Sequence, residues 1–531
     1  MNRLLSDANL LARTAAAVGR AGVLTASRPG HLLPALRSYR DSGASLATII
    51  GLAAVHAPDT PAVIDERGRL GYARLHERGT AIAGALRTEY GLGGGSTIGV
   101  LCRNHRGFVL AVVAAARLGA DVVLLNTEFS GPQLRTVLER HRPDVVIADE
   151  EYLPLLDGVR TVLAWYEGEP GAPALDALAG PRPPRPRGQG RITLLTSGTT
   201  GTPKGAPRSA DALAFAGPLA TVLDRGGLRL GDPVLVAPPL FHGFGFAMFG
   251  LAAFLRSPMV LRRKFDAAAT VSALGEHRIR CLAVVPAMLQ RILALPRQER
   301  DPARLAALRC VLSGAAPLPP ALATRTLDEL GEVLCNGYGS SEIGIAAIAG
   351  PADLRAAPAT VGRPTLGVQV AILDERGERL PAGETGTVHV GGRQVFGGYT
   401  GGGNKDTVHG LMSTGDRGHF DAEGRLYIDG RADDMIVSGG ENVYPQEVED
   451  VLSRHEQVSE AAVLGVPDEE FGQRLVAYVV AAPGCAPTEE ELRGHVRDNL
   501  ARYKVPRAVV FLAELPRNPT GKLLRRELPR A

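Results

Sequence analysis

Short, largely apolar runs recur between residues 97 and 335 of this chain, at 97–101, 121–125, 234–237, 281–285, 310–312 and 333–335. A strand with one face in water would alternate apolar with polar residues. Runs this short and this apolar belong in a sheet covered on both faces. The stretches between them, such as 266–276 and 320–330, have the length and the Ala- and Leu-rich make-up of helices, so the repeat reads as parallel α/β units. In open sheets of this kind ligands bind beyond the carboxyl ends of the strands. The glycine-containing segments 313–314 and 336–339 fall at such ends, and a site is expected there.

The rest of the chain departs from this pattern in three places. Residues 1–44 read as an amphipathic extension, with Leu4, Leu5, Leu11 and Val18 interleaved with Arg3, Arg13 and Arg20; it packs on the body or lies on a membrane surface. A Pro- and Arg-rich connector occupies 180–190. Residues 365–429 alternate Gly, Val and Thr as an antiparallel or barrel-like portion does, and the last hundred residues read as a small α+β domain. The expected fold class is therefore α/β. A large N-terminal domain, starting at 45, of βαβ-layered subdomains with a small β-barrel-like portion is followed by a small α+β domain.

Composition narrows the function classes. With 59 basic and 56 acidic residues the net charge is +3, which leaves no electrostatic footprint for nucleic acid. Five scattered cysteines without a C-x-x-C pair indicate neither a disulfide framework nor a zinc site, and fit a reducing cytoplasm. Arg13 and Arg20 interrupt the apolar amino terminus, so no signal peptide is expected. Arg117 and Asp121 interrupt the apolar segment 108–125, which reads as buried helix and strand. Only five of the 59 cations are lysine: Lys204, Lys264, Lys405, Lys504 and Lys522. Ammonium and guanidinium are not interchangeable where a compact point charge is needed, so each surviving lysine is a test position.

One of them lies in Thr196-Ser197-Gly198-Thr199-Thr200-Gly201-Thr202-Pro203-Lys204-Gly205, directly after a strand at 192–195. Its glycines admit close backbone approach, its hydroxyls and amides donate to phosphate oxygens, and Lys204 adds a mobile positive charge. It does not fit the Walker pattern, because Pro203 precedes the lysine and Gly205 follows it.

This run resembles the signature of the adenylate-forming superfamily of acyl-CoA synthetases, peptide-synthetase adenylation domains and beetle luciferases. Further segments resemble the family's motifs in the family's order. Phe241-His242-Gly243 is similar to the aromatic gate. Ser313-Gly314-Ala315-Ala316-Pro317 and Asn336-Gly337-Tyr338-Gly339-Ser340-Ser341-Glu342 are similar to the adenine-pocket segments. Ser413-Thr414-Gly415-Asp416 resembles the ribose motif, Gly430-Arg431-Ala432-Asp433-Asp434 the hinge, and Asn518-Pro519-Thr520-Gly521-Lys522 the catalytic-lysine motif.

The resemblance implies ATP, Mg²⁺ and coenzyme A as partners, and a role for each matching residue. Glu342, with Thr196, holds magnesium. Tyr338 faces adenine, Asp416 takes the ribose hydroxyls, and Arg431 donates to ribose or phosphate. Ser341 stands where threonine is more usual and keeps the hydroxyl. Lys522 bridges the substrate carboxylate and the α-phosphate. Asp433 is the hinge between the large N-terminal domain (45–432) and a mobile C-terminal domain (433–531), and Gly439 and Gly440 let a pantetheine arm pass. Lys504 meets a CoA phosphate or is a surface charge, while Lys264 and Lys405 are solvated.

Between Asp232 and Asp266 there is no acidic residue to pair with an amino-acid ammonium. The run 241–250 is instead apolar and walls a hydrocarbon pocket or forms a core helix, with His242 a gate or a core imidazole. Phe244, Met248, Gly314 and Gly337 complete the expected acyl pocket. A medium- or long-chain fatty acid is the expected substrate, with aryl or branched acids the alternative. From Glu342 to Asp416 the chain advances only 74 positions, without the insertion of relatives that stop at the acyl-adenylate. Transfer to CoA is expected, with a carrier-protein pantetheine as the other acceptor. The expected location is the cytoplasm, with residues 1–44 as a contact to the inner face of the membrane.

Overall fold

The computed structural model describes residues 2–24, 29–196, 204–208, 212–400, 404–431, 434–438, 441–468, 472–519 and 521–529. The chain forms two compact units: Met1–Leu312 with Ser340–Gly344 and Arg393–Asn404, and Ser313–Gly339 with Ile345–Gly392 and Lys405–Ala531.

The first unit is the α/β portion foreseen from the apolar runs. One of its sheets has the order Thr161–Trp165, Val145–Asp149, Thr97–Leu101, Asp121–Leu124, Ile192–Thr196, Lys204–Arg208. The first five strands are parallel and the last returns antiparallel. The connecting helix Arg106–Leu118 is buried on nearly every residue, because it is packed between the sheet and the helices Leu46–His56 and Tyr72–Thr88. This places 108–125 in helix and strand, and among the described residues no helix is long and apolar enough to cross a membrane. A second group of strands runs Cys310–Ser313, Cys281–Val284, Val234–Val236, Met259–Leu261, Pro61–Asp65 and Gly68–Gly71.

Among its described residues the amino-terminal extension forms two α-helices. α1 (Asn2–Arg20) packs on the body: Ala17 and Val18, with Ala21 just after the helix, are buried, and Arg20 forms an ion pair with Asp224 at 2.8 Å. α2 (Leu32–Ser42) leads into α3 (Leu46–His56), whose N-cap Ser45 accepts from the Thr48 amide. The connector 180–190 carries neither helix nor strand.

In the second unit, Leu334–Ser340, Gly344–Ala349 and Arg363–Pro364 are neighbouring strands. Five strands between Gln369 and Arg431 make an antiparallel sheet. A further sheet, Glu441–Val443, Ile436–Ser438, Gly472–Ala481, Val458–Asp468 with Ala508–Phe511, covers an apolar core on each face. Helices Pro445–Leu452 and Glu489–Asn499 close one face; the second begins with a capping box, Thr488 and Glu491 satisfying each other's backbone amides.

Candidate active site

In the second unit the candidate nucleotide residues come together. Tyr338 lies in strand Leu334–Ser340 and its phenol donates to Asp416 Oδ2. Burial first, and the Asp416 charge next, push that phenol well above its usual pKa, so it stays a donor. Asp416 and Arg431 are cross-strand partners, and the Arg431 guanidinium lies 3.4 Å from Asp416 Oδ1.

The Ser413-Thr414-Gly415-Asp416 run is built by its own side chains. Thr414 Oγ1 donates to the Val388 carbonyl at 2.9 Å and accepts from the Asp416 amide at 3.0 Å. Gly415 takes a φ of +81°, and a Cβ there would stand 3.1 Å from the Arg431 guanidinium. Lys405, read from sequence as solvated, instead donates to the Thr414 carbonyl at 2.6 Å. The loop that closes Lys405 onto residue 414 leaves no periodic trace, so local sequence could not show it.

The two segments resembling the adenine pocket are adjacent, since a Cβ on Gly337 would lie 3.8 Å from the Ser313 carbonyl and meet nothing closer. Ser313 Oγ and Asn336 Oδ1 are buried with no hydrogen-bond partner. Such groups are costly unless something satisfies them, which fits a polar planar ligand placed there. Ala315 holds φ +66°, a left-handed conformation costing a non-glycine residue roughly 1 kcal/mol.

Lys522 lies on a tight turn of the same unit. The Asn518 amide donates to the Lys522 carbonyl at 2.9 Å, the Lys522 amide returns to Asn518 Oδ1 at 2.8 Å, and Gly521 supplies φ +75°. Arg517 fastens the turn, donating to the Gly521 carbonyl at 2.8 Å while paired with Glu460 at 2.8 Å. The Lys522 side chain is exposed. Lys504 is held by Glu447 at 2.6 Å, so its charge is already engaged. Asp433, Gly439 and Gly440 lie outside the described residues.

In the first unit the strands Ile192–Thr196 and Lys204–Arg208 pair in register, Thr196 opposite Lys204. Ser197, Gly198, Thr199, Thr200 and Gly201 lie outside the described residues, as do the Thr196 and Lys204 side chains. Gly205 is needed at this hairpin's base, since a Cβ would stand 2.3 Å from Thr400 Oγ1 and 2.7 Å from Thr193. Glu342 is buried, and its carboxylate accepts from Ser340 Oγ at 2.7 Å and from the Tyr399 hydroxyl at 2.9 Å. These donors aim the carboxylate, and a carboxylate oxygen is the ligand type that suits a hard cation such as Mg²⁺.

His242 is the N-cap of helix Gly243–Phe254, where a Cβ on Gly243 would come within 3.9 Å of Ser341 Oγ. Met248 and Phe249 are core, whereas Phe244 and Phe246 are part-exposed. Sequence reading passed over two residues that hold these groups in place. Tyr399, beside Phe396 with rings 4.8 Å apart, fixes Glu342. Asn104, buried, donates to the Pro238 carbonyl at 2.9 Å and accepts from the Leu240 amide at 2.7 Å, pinning the loop that carries His242. The aromatic Phe396-Gly397-Gly398-Tyr399 run was a usable signal; Asn104, more than a hundred residues from its partners, gave none.

A separate cluster joins Cys102, His105 and Asp149, whose ligand-type atoms all lie within 4.8 Å. His105 Nδ1 accepts from the Gly107 amide at 3.0 Å, so Nε2 carries the proton shared with Asp149 at 2.7 Å. Both ring nitrogens are committed, and burial pushes the Cys102 thiol up. It is a hydrogen-bond network.

Comparison with known proteins matches the AMP-binding enzyme family over residues 52–400 and the AMP-binding enzyme C-terminal domain over 447–522. The chain is 34% identical to an indoleacetate–CoA ligase of Aromatoleum aromaticum, across 86% of this chain and 91% of that protein. It is 33% identical to the fatty acid–[acyl-carrier-protein] ligase ScoC of Streptomyces coeruleorubidus, across 90% and 94%. The solved anthranilate CoA ligase AuaEII, in complex with anthranoyl-AMP, is similar with a TM-score of 0.82 and 26% identity, covering 91% of this chain and 96% of that one.

Proposed function

Because this chain belongs to the AMP-binding enzyme family of the adenylate-forming superfamily, and is an AMP-forming acid–thiol ligase using ATP, Mg²⁺ and coenzyme A, we propose that its acid is a medium- or long-chain fatty acid. One observation carries this reading. Helix Gly243–Phe254 and its flanks hold no acid between Asp232 and Asp266, and present Phe244 and Phe246 without a partner for a substrate ammonium. The fatty-acid ligase relative supports it, as does the space beside Gly337.

The substrate carboxylate attacks the α-phosphorus of ATP and pyrophosphate leaves; the CoA thiol then attacks the acyl carbonyl and AMP leaves. The exposed Lys522 ammonium, carried on its fastened turn, bridges carboxylate and α-phosphate as charge develops, a stabilisation typically worth on the order of 10²–10³ in rate. Asp416, oriented by Tyr338 and Thr414, takes the ribose hydroxyls, and Arg431 adds a donor. Asn336 and Ser313 receive the adenine edge. Glu342, kept aimed by Ser340 and Tyr399, would hold Mg²⁺ with Thr196, and the ion would neutralise phosphate charge. Lys204 would add its charge to the departing phosphates, and His242 gates the carboxylate. After adenylation the segment following Asp433 turns, and Gly439 and Gly440 replace Lys522 beside the site so that pantetheine can enter, with Lys504 at the CoA phosphate once freed from Glu447.

A second reading, an aryl acid, is favoured by the indoleacetate relative, and a carrier-protein acceptor by the ScoC relative. A panel of fatty, aryl and amino acids, assayed for pyrophosphate release with CoA or carrier protein, separates them. Fatty acids should turn over most efficiently and form CoA thioesters; preference for an aryl acid overturns the substrate assignment. The reading places the enzyme in the cytoplasm, in contact with the membrane through residues 1–44.

A further inference from the structure

α2 is built inside out. Its buried positions are Ser38 and Ser42, which pack on α3 and its surroundings: Thr48 Oγ1 donates to the Ser38 carbonyl, Arg117 donates to Ser42 Oγ at 3.0 Å, and a Cβ on Gly51 would stand 2.9 Å from Ser38 Oγ. Its large apolar residues face out, with Leu32 73%, Leu33 68%, Leu36 61% and Tyr39 52% exposed. Arg37 and Arg40 are exposed on the same arc. At 100° per residue, Leu32, Leu36, Leu33 and Tyr39 span one side of the helix with Arg40 between and Arg37 at the edge.

Beside Tyr39 opens a surface cavity of about 490 Å³, lined by Gly43, Ala44, Arg185, Pro186, Arg187 and Gln189. Among the described residues Arg37, Arg40, Arg185 and Arg187 form no ion pair. The nearby acids are already paired, Asp41 with Arg182 and Asp121 with Arg191. An apolar arc flanked by uncompensated guanidinium groups, next to a cationic hollow, matches an anionic lipid surface. Leucines enter the acyl boundary, arginine stems snorkel, and a headgroup phosphate sits between Arg185 and Arg187.

We propose that α2 with residues 185–189 is a docking face for an anionic bilayer. This deepens the membrane contact proposed for residues 1–44 and assigns it to α2, since α1 turns Ala17 and Val18 to the body.

The test is co-sedimentation of the full chain with vesicles of phosphatidylcholine, or of phosphatidylcholine with phosphatidylglycerol. The protein should bind the mixed vesicles and bind less as salt is raised. Leu32→Ser/Leu36→Ser should weaken partition about tenfold or more, because each leucine contributes at least a factor of this order when buried. Arg185→Gln/Arg187→Gln should lose the preference for anionic lipid while keeping weak binding. All these positions are exposed, so unfolding temperature and turnover of a water-soluble acid should match wild type. Wild type left in the supernatant with every vesicle, or vesicle binding unaltered by both double variants, overturns the proposal. So does a dimer that the leucine variants dissociate, since a second copy then covers the face. Sedimentation needs no substrate, so failure of the fatty-acid assignment and failure of the docking face are read separately.

Discussion

Asp416 accepts the Tyr338 phenol, faces Arg431 across two strands and has its amide tied to Thr414. Its carboxylate is thereby aimed before any nucleotide arrives. Hydrogen bonds to a charged group contribute about 1.5–3 kcal/mol, so Asp416→Ala should raise the KM for ATP by about 10- to 100-fold. Tyr338→Phe, which loses only the orienting donor, should cost several-fold; steady-state kinetics at saturating acid checks both. Ala315→Gly should relieve the left-handed backbone and leave the unfolding temperature equal or higher. Asp450 gives a pH signature. Burial pushes its carboxyl up to about 6 from the usual 3.8, despite the Gln446 amide donating at 2.8 Å. A raised folded pKa means the folded state prefers the neutral acid, so ionisation lowers stability between about pH 4 and 6, by at most roughly 3 kcal/mol. Asp450→Asn should therefore stabilise the protein at about pH 8 and be nearly neutral near pH 4 in thermal melts. At this scale the sequence displayed the groups whose chemistry is local: Gly415 for its backbone, Glu342 and Asp416 for charge. Lys405, Asn104 and Tyr399 act through partners brought by folding, and only Tyr399 had a local sign.

Among elements, the turn that carries Lys522 shows how a surface lysine can be placed without being buried. Gly521 and Asn518 set the backbone and the Arg517–Glu460 pair fastens it. Lys522→Arg keeps the charge but widens and lengthens the donor. Acid-dependent ATP–pyrophosphate exchange should fall at least about 100-fold while the unfolding temperature stays unchanged. The amino-terminal extension marks what periodicity can and cannot give. Its amphipathic spacing signalled helix, and helix is found in α1 and α2. Spacing does not say which face turns inward, and in α2 serines contact α3 while leucines meet solvent. That depends on Thr48, Gly51 and Arg117, which accept only small residues at close range.

For the molecule as a whole, the largely apolar runs, alternating with helical stretches, announced covered parallel sheets, because strands without a polar face need both faces covered. The alternating region around 387–390 likewise lies in an antiparallel sheet, in strand Gly386–Gly391. Strand order was not legible: the neighbour of Thr97–Leu101 is both Asp121–Leu124 and Val145–Asp149, a choice made by helix packing. Acid identity was also illegible beyond the lack of a carboxylate for a substrate ammonium between Asp232 and Asp266, since Phe244 and Met248 read alike as pocket and core. The central claim, ATP-driven thioester formation from a fatty acid, is tested most directly by mass spectrometry of products from a fatty acid, MgATP and CoA. Acyl-CoA with equimolar AMP and pyrophosphate is predicted, and acyl-AMP that persists unchanged in the presence of CoA would contradict it.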